Sequence, residues 1–125
     1  MARLVVFGLA LVLVVPALGD NPRKDKVTVN KPAKVVMLYF YANWCAPCRV
    51  LNETTLRDST VREFLTDRTT TVRVNIEDDA LLAEHYKVRA IPCLVFLDGA
   101  GKELGRILGS RGPKQFLEEA GKIVK

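Results

Sequence analysis

Apolar residues fall along this chain in blocks whose spacing changes from one block to the next. The first runs from Leu4 to Val15, broken only by Gly8 and ended by Pro16. Asp20–Lys34 is polar, with Asn21-Pro22 and Lys31-Pro32, and predicts an extended lead-in holding at most a short strand at Val27–Val29. Val35–Tyr41 is a continuous apolar, β-branched and aromatic run, too short for a helix and suited to a strand buried on both faces. A helix is predicted from Ala46, because Pro47 is tolerated in a first turn and Val50, Leu51 and Thr55 follow at helical spacing. Thr60-Val61-Arg62-Glu63 has the form of a capping box and predicts a second short helix through Leu65. Thr71–Ile76 alternates as a strand with Val72, Val74 and Ile76 on one face.

Asp78 or Asp79 can cap the next helix, on which Leu81, Leu82, His85 and Tyr86 form a stripe. Cys93–Leu97 is another buried-strand run. Asp98-Gly99-Ala100-Gly101 is a turn that returns the chain as Glu103–Leu108, the partner in a hairpin. Gly112-Pro113 opens a last helix with Phe116, Leu117, Ala120, Ile123 and Val124 on its apolar face. The predicted order is β-α-β-α-β-β-α. Strands alternating with helices and closing on a hairpin imply an α/β fold, a central mixed sheet covered by helices on both faces.

Composition separates the first block from the rest. Fifteen of the first 19 residues are apolar and Arg3 is the only charge before Asp20. Pro16 and the small residues around Leu18 complete the pattern of a secretory signal at residues 1–19, followed by the lead-in at 20–34 and a domain at 35–125. The expectation is a periplasmic or secreted protein, with an uncleaved N-terminal membrane anchor as the alternative. Over all 125 residues the net charge is +5, modest and interleaved, which argues against a nucleic-acid binder. Three cysteines are too few for a disulfide-dense scaffold.

Two of those cysteines carry the candidate chemistry. Trp44-Cys45-Ala46-Pro47-Cys48 stands where the first long strand hands over to a helix. Positions three apart share one helical turn, close enough to bridge. At a helix N-terminus the first thiol meets unpaired N–H groups and the positive end of the dipole, which favour the thiolate. The thiolate is the attacking species in disulfide exchange. Cys45 is therefore read as nucleophile and Cys48 as the resolving thiol, with Ala46 and Pro47 tuning the pair. Half a zinc site and an inert structural disulfide also fit a bare C-x-x-C. Zinc would want two further soft ligands, and the chain offers only Cys93 and His85. No metal is expected, and no cofactor beyond the Cys45–Cys48 disulfide itself.

Tyr41-Ala42-Asn43-Trp44-Cys45-Ala46-Pro47-Cys48-Arg49 resembles the active-site segment of the thioredoxin family, and Val88-Arg89-Ala90-Ile91-Pro92 resembles its second active-site loop, where the proline is cis. The helix after Cys48 and the Asp58–Leu65 segment are similar to the soluble C-terminal domain of the disulfide reductase DsbD. The resemblance implies a thioredoxin fold from Val35 to the C-terminus. It further implies that Trp44 shields the nucleophile, and that Ile91 and Pro92 hold an extended substrate strand opposite Cys45. The fold class and the redox class both follow from it as expectations.

The chain departs from that family at three places. Where thioredoxins carry a buried aspartate six residues before the nucleophile, this chain has Tyr39; the lysine partner corresponds to Arg73. A tyrosine, with a pKa near 10, is a poor base at neutral pH. Packing is the expected role, with the hydroxyl bonded to a partner such as Arg73; a slower or differently poised enzyme is the other. Cys93 follows the proline where threonine is usual, as a buried core residue or as a third redox participant. The acidic residue expected on the active-site helix is Asn52 here. Glu77-Asp78-Asp79 is read as a capping, solvated stretch. The sequence thus predicts a monomeric thiol–disulfide oxidoreductase acting on protein thiols and disulfides, reducing in direction because Ala46-Pro47 and Ile91 resemble the reducing branch. A membrane-embedded electron donor is implied, since no nicotinamide or flavin motif is seen. A non-catalytic binding module and a metal-delivery protein are the competing classes.

Overall fold

A computed structural model describes residues 34–125. The expected signal at 1–19 and the Val27–Val29 strand lie outside the described residues. Within them the chain runs β1 (Val35–Tyr41), α1 (Ala46–Glu53), α2 (Ser59–Arg68), β2 (Thr69–Asn75), α3 (Ala80–His85), β3 (Cys93–Leu97), β4 (Glu103–Leu108) and α4 (Pro113–Ile123). The strands form one mixed sheet in the order β2-β1-β3-β4, with β1 parallel to β2 and antiparallel to β3, and β3 antiparallel to β4.

The central strands β1 and β3 are apolar throughout because each face of the sheet carries its own core. On one face Met37, Tyr39, Leu94 and Phe96 meet Leu51 of α1, Val61 of α2, and Phe116 and Ala120 of α4. On the other, Leu38, Phe40, Cys93, Val95 and Leu97 pack with Val74 of β2 and Ala83 of α3. Alternating side chains of one strand thus feed two cores, as the pleat requires. The expected two-faced α/β sandwich is what forms.

Several local expectations need correction. The second helix is not opened by Thr60. Asp58 caps it, its carboxylate accepting from the N–H groups of Thr60 and Val61 at 3.0 and 3.1 Å, and the helix continues to Arg68. An aspartate two residues earlier wins because its charged oxygen serves two orphan donors at once. Of the predicted β2 face, Val74 is buried, but Val72 is 41 % exposed, since β2 is an outer strand. The α3 stripe is rotated as well. Leu81 is 80 % exposed and His85 is exposed, while Ala83 faces the core with Leu82 and Tyr86 beside it. Asp79, not Asp78, caps that helix through the Leu82 N–H at 3.1 Å.

Candidate active site

β1 ends at Tyr41, and the chain turns through Asn43 and Trp44 before α1 begins at Ala46. Cys45 is the N-cap of α1, in extended backbone conformation, and its Sγ accepts from the Cys48 N–H at 3.2 Å. The cap position gives the first cysteine a donor that no helical carbonyl claims. Ala46 and Pro47 fill the first helical positions, where a missing proline N–H costs nothing. Cys45 and Cys48 are joined as a disulfide with Cα atoms 5.2 Å apart. Cys45 is 4 % exposed and Cys48 1 %.

The second loop closes over the first cysteine. Ile91–Pro92 is a cis peptide bond, and the Ile91 carbonyl oxygen lies 3.8 Å from Cys45 Sγ. Trp44 stands out from the surface at 65 % exposure, with its indole N–H donating to Glu77 Oε1 at 2.5 Å. With Ile76, Val88 and Ile91 it lines a mainly apolar cavity of about 300 Å³. On the other flank of Cys45 a second cavity, about 330 Å³, is walled by Tyr41, Asn43, Arg49, Asn52 and Arg73.

Beneath the pair, Tyr39 is fully buried and its hydroxyl donates to the Cys48 carbonyl at 3.3 Å. That corrects the expected partner. Arg73 stands beside Tyr39 in the β1–β2 register, but its guanidinium lies over the ring, 5.2 Å from the Tyr39 centroid and 5.3 Å from that of Tyr41. Its N–H bonds Asn52 Oδ1 at 3.0 Å. The planar cation prefers the π faces and an amide, leaving the hydroxyl free for a backbone carbonyl. Burial pushes the Tyr39 hydroxyl above the usual phenol range, with Arg73 and Asn52 pulling the other way.

Cys93 is fully buried among Phe40, Val95 and Ala83, in the core of the opposite face, whereas Cys45 and Cys48 cluster with Ala42. Burial pushes its thiol upward; Arg106 opposes that and Glu103 adds to it. A raised folded-state pKa gives stability that is complete below the unfolded thiol pKa, about 8.5, and is lost as pH rises towards the folded value. Cys93→Ala is therefore expected to flatten the alkaline fall in stability between pH 8 and 10, measured by urea unfolding of the oxidised protein. An equally steep fall in the variant would assign it to other groups.

Of the residues singled out from the sequence, the structure gathers Tyr39, Trp44, Cys45, Ala46, Pro47, Cys48, Arg73, Ile91 and Pro92 at one end of β1; Cys93 begins β3 but points away. Two contributors went unread. Glu77 reads in sequence as part of a solvated acidic stretch, yet it holds Trp44. Tyr41, which the sequence places at the end of the strand and the start of the active-site segment, forms half of the Arg73 stack. Parallel pairing of β1 and β2 was the available signal, because it sets the residues after Asn75 beside the turn after Tyr41. Among the described residues no group of three or more histidines, cysteines or acidic residues gathers to hold a metal ion.

A strand–turn–helix with a capping C-x-x-C, opposed by a cis-proline loop, defines a thioredoxin-like site. The chain belongs to the thioredoxin-like family, whose domain model matches residues 22–123, and carries the Cys45–Cys48 disulfide at the family's C-x-x-C position. It is similar to the thiol:disulfide interchange protein DsbD of Actinobacillus pleuropneumoniae, 31 % identical over 100 residues, which are 75 % of this chain and 17 % of that protein. The DsbD of Escherichia coli K12 is 33 % identical over 82 residues, 63 % of this chain and 14 % of that protein. The chain thus spans less than a fifth of the length of these curated relatives. A thioredoxin from Thermus thermophilus superimposes with a TM-score of 0.66 at 33 % identity, over 72 % of this chain and 73 % of that one.

Proposed function

We propose that this protein reduces protein disulfides outside the cytoplasm, cycling Cys45 and Cys48 between dithiol and disulfide. The Cys45 thiolate attacks one sulfur of the substrate disulfide, forming a mixed disulfide and releasing the other substrate sulfur as a thiolate. The Cys48 thiolate then attacks Cys45 Sγ, and the second substrate sulfur leaves. Two electrons pass to the substrate and the Cys45–Cys48 bond forms. The observation that carries this reading is the placement of Cys45 Sγ at the α1 cap, within reach of the Cys48 N–H and beside the Ile91 carbonyl. The N–H lowers the thiolate's energy, and the free backbone of the Ile91 loop suits an extended substrate chain paired by strand addition.

Export is supported by the apolar N-terminal block and by the similarity to a thiol:disulfide interchange protein. The reducing direction is supported by Ala46-Pro47 between the cysteines and Ile91 before Pro92. An extracytoplasmic reductase needs a source of electrons, and a membrane-embedded dithiol donor fits that need. The chain works as a monomer in this reading. The test is insulin reduction by the purified chain with dithiothreitol supplied, together with the Cys45–Cys48 potential. Turnover is expected, with a potential nearer thioredoxin's roughly −270 mV than the about −120 mV of a dedicated oxidant. No turnover would leave a non-catalytic binding module as the better reading. A potential near the oxidant's would reverse the direction.

A further inference from the structure

The two flanks of Cys45 differ in chemistry. The Trp44–Ile91 side is mainly apolar, with Arg89 its one charged residue, and the other side carries two arginines. Around the second cavity stand the guanidinium groups of Arg49 and Arg73, the amides of Asn43 and Asn52 and the phenol of Tyr41, with no carboxylate in the wall. Among the described residues neither arginine is in an ion pair, whereas Arg106 and Arg111 are held by Glu103 and Glu119. Arg73 is also fixed in advance. Stacked over two tyrosine rings and bonded to Asn52 through one N–H, it keeps further donors free. A side chain ordered before the ligand arrives has less entropy left to lose on binding.

We propose that this cleft is a subsite for a substrate carboxylate, so that the protein favours disulfides whose cysteine is flanked by an acidic residue. The inference rests on the exchange reading above and adds a substrate class to it. Cys45 is part of the same wall, so a glutamate or aspartate next to the reacting cysteine enters the cleft as its sulfur meets Cys45 Sγ. Arg73 presents a planar fork suited to a carboxylate, and Arg49 adds a second positive charge from the exposed side of α1.

The test uses symmetric disulfides of three blocked tripeptides, Ac-Glu-Cys-Glu-NH2 and its Gln and Lys counterparts. Each is mixed with the full-length protein, first reduced and freed of dithiothreitol, and released peptide thiol is followed through one turnover. In that turnover the peptide disulfide breaks, the Cys45–Cys48 bond forms and two peptide thiols leave. Every rate is divided by that of dithiothreitol with the same peptide, which removes intrinsic reactivity. The Glu peptide is expected to react about fivefold faster than the Gln peptide, the upper range for an exposed ion pair, with Lys slowest. That ratio shrinks in 0.5 M salt, as screening demands. Arg49→Gln and Arg73→Gln each reduce it, the double variant brings it to one, and Lys122→Gln, on α4, leaves it unchanged. Arg49→Gln disturbs no stacked ring, so its loss of preference is free of any loosening around Tyr39. Equal Glu and Gln rates in the wild type, or a preference that survives in the double variant, overturn the subsite alone. Failure of the wild type to reduce even the Gln peptide overturns the exchange reading, and the subsite with it.

Discussion

Cys45→Ser is expected to bring disulfide reduction to background, and Cys48→Ser to leave the protein covalently trapped on its substrates. The asymmetry comes from the helix end. Only Cys45 caps α1, so only its thiolate accepts the Cys48 N–H, and a serine hydroxyl in that place does not ionise near neutral pH. Cys48 lies one turn inside, 1 % exposed, with its carbonyl held by Tyr39. In the proposed cycle it attacks Cys45 Sγ once the substrate is attached, and without it the mixed disulfide persists. Insulin turbidity reports the first loss. Non-reducing electrophoresis followed by mass spectrometry reports the second. Equal trapping by the two variants would show that the cysteines exchange roles.

The second large effect concerns Tyr39. In the resolving step Cys48 must become a thiolate inside the domain, and enclosure raises the cost of that charge. Tyr39 does not lower it by taking the proton, since burial keeps its hydroxyl protonated well beyond neutral pH. Tyr39→Asp is expected to speed resolution of the mixed disulfide near pH 7, with Arg73 now beside a carboxylate. The same change removes a fully buried ring from the core, at a cost of roughly 3 kcal/mol by large-to-small precedent. Stopped-flow resolution rates and urea unfolding read the two consequences separately. Tyr39→Phe keeps the ring and removes only the bond to the Cys48 carbonyl, about 1 kcal/mol. A destabilised Tyr39→Asp with an unchanged resolution rate would make Tyr39 a packing residue, leaving water or another group to take the proton.

How far these features were legible in the sequence depends on the range of the interaction that decides them. Val35–Tyr41 and Cys93–Leu97 were plain because a strand buried on both faces has no polar position to confuse it. The C-x-x-C cap was plain because the strand, turn, proline and helix are contiguous. Boundaries set by competition between nearby caps were less so, as Asp58 displacing Thr60 illustrates. The exposure of Leu81 was unreadable, since a six-residue helix offers too few turns to fix which side meets the sheet. The partners of Tyr41 and Trp44 were hidden for another reason. Both contacts cross from the end of β1 or its turn to β2 or the segment just beyond it, more than thirty positions along the chain. Only the strand register joins them.

That register has a consequence for anyone wishing to redesign this domain. The seven residues of β1 carry three assignments at once: Met37 and Tyr39 to one core, Leu38 and Phe40 to the other, and the phase at which the chain arrives at Cys45. Inserting or deleting one residue in this stretch would exchange the occupants of the two cores while carrying Cys45 out of line with Ile91. The strand therefore behaves as a reading frame, in which a shift disturbs far more than a volume-conserving change of one letter. Directed variation aimed at new substrates has its freedom elsewhere, on the outer side of α1 and in the 88–91 loop, where side chains can change without altering the count.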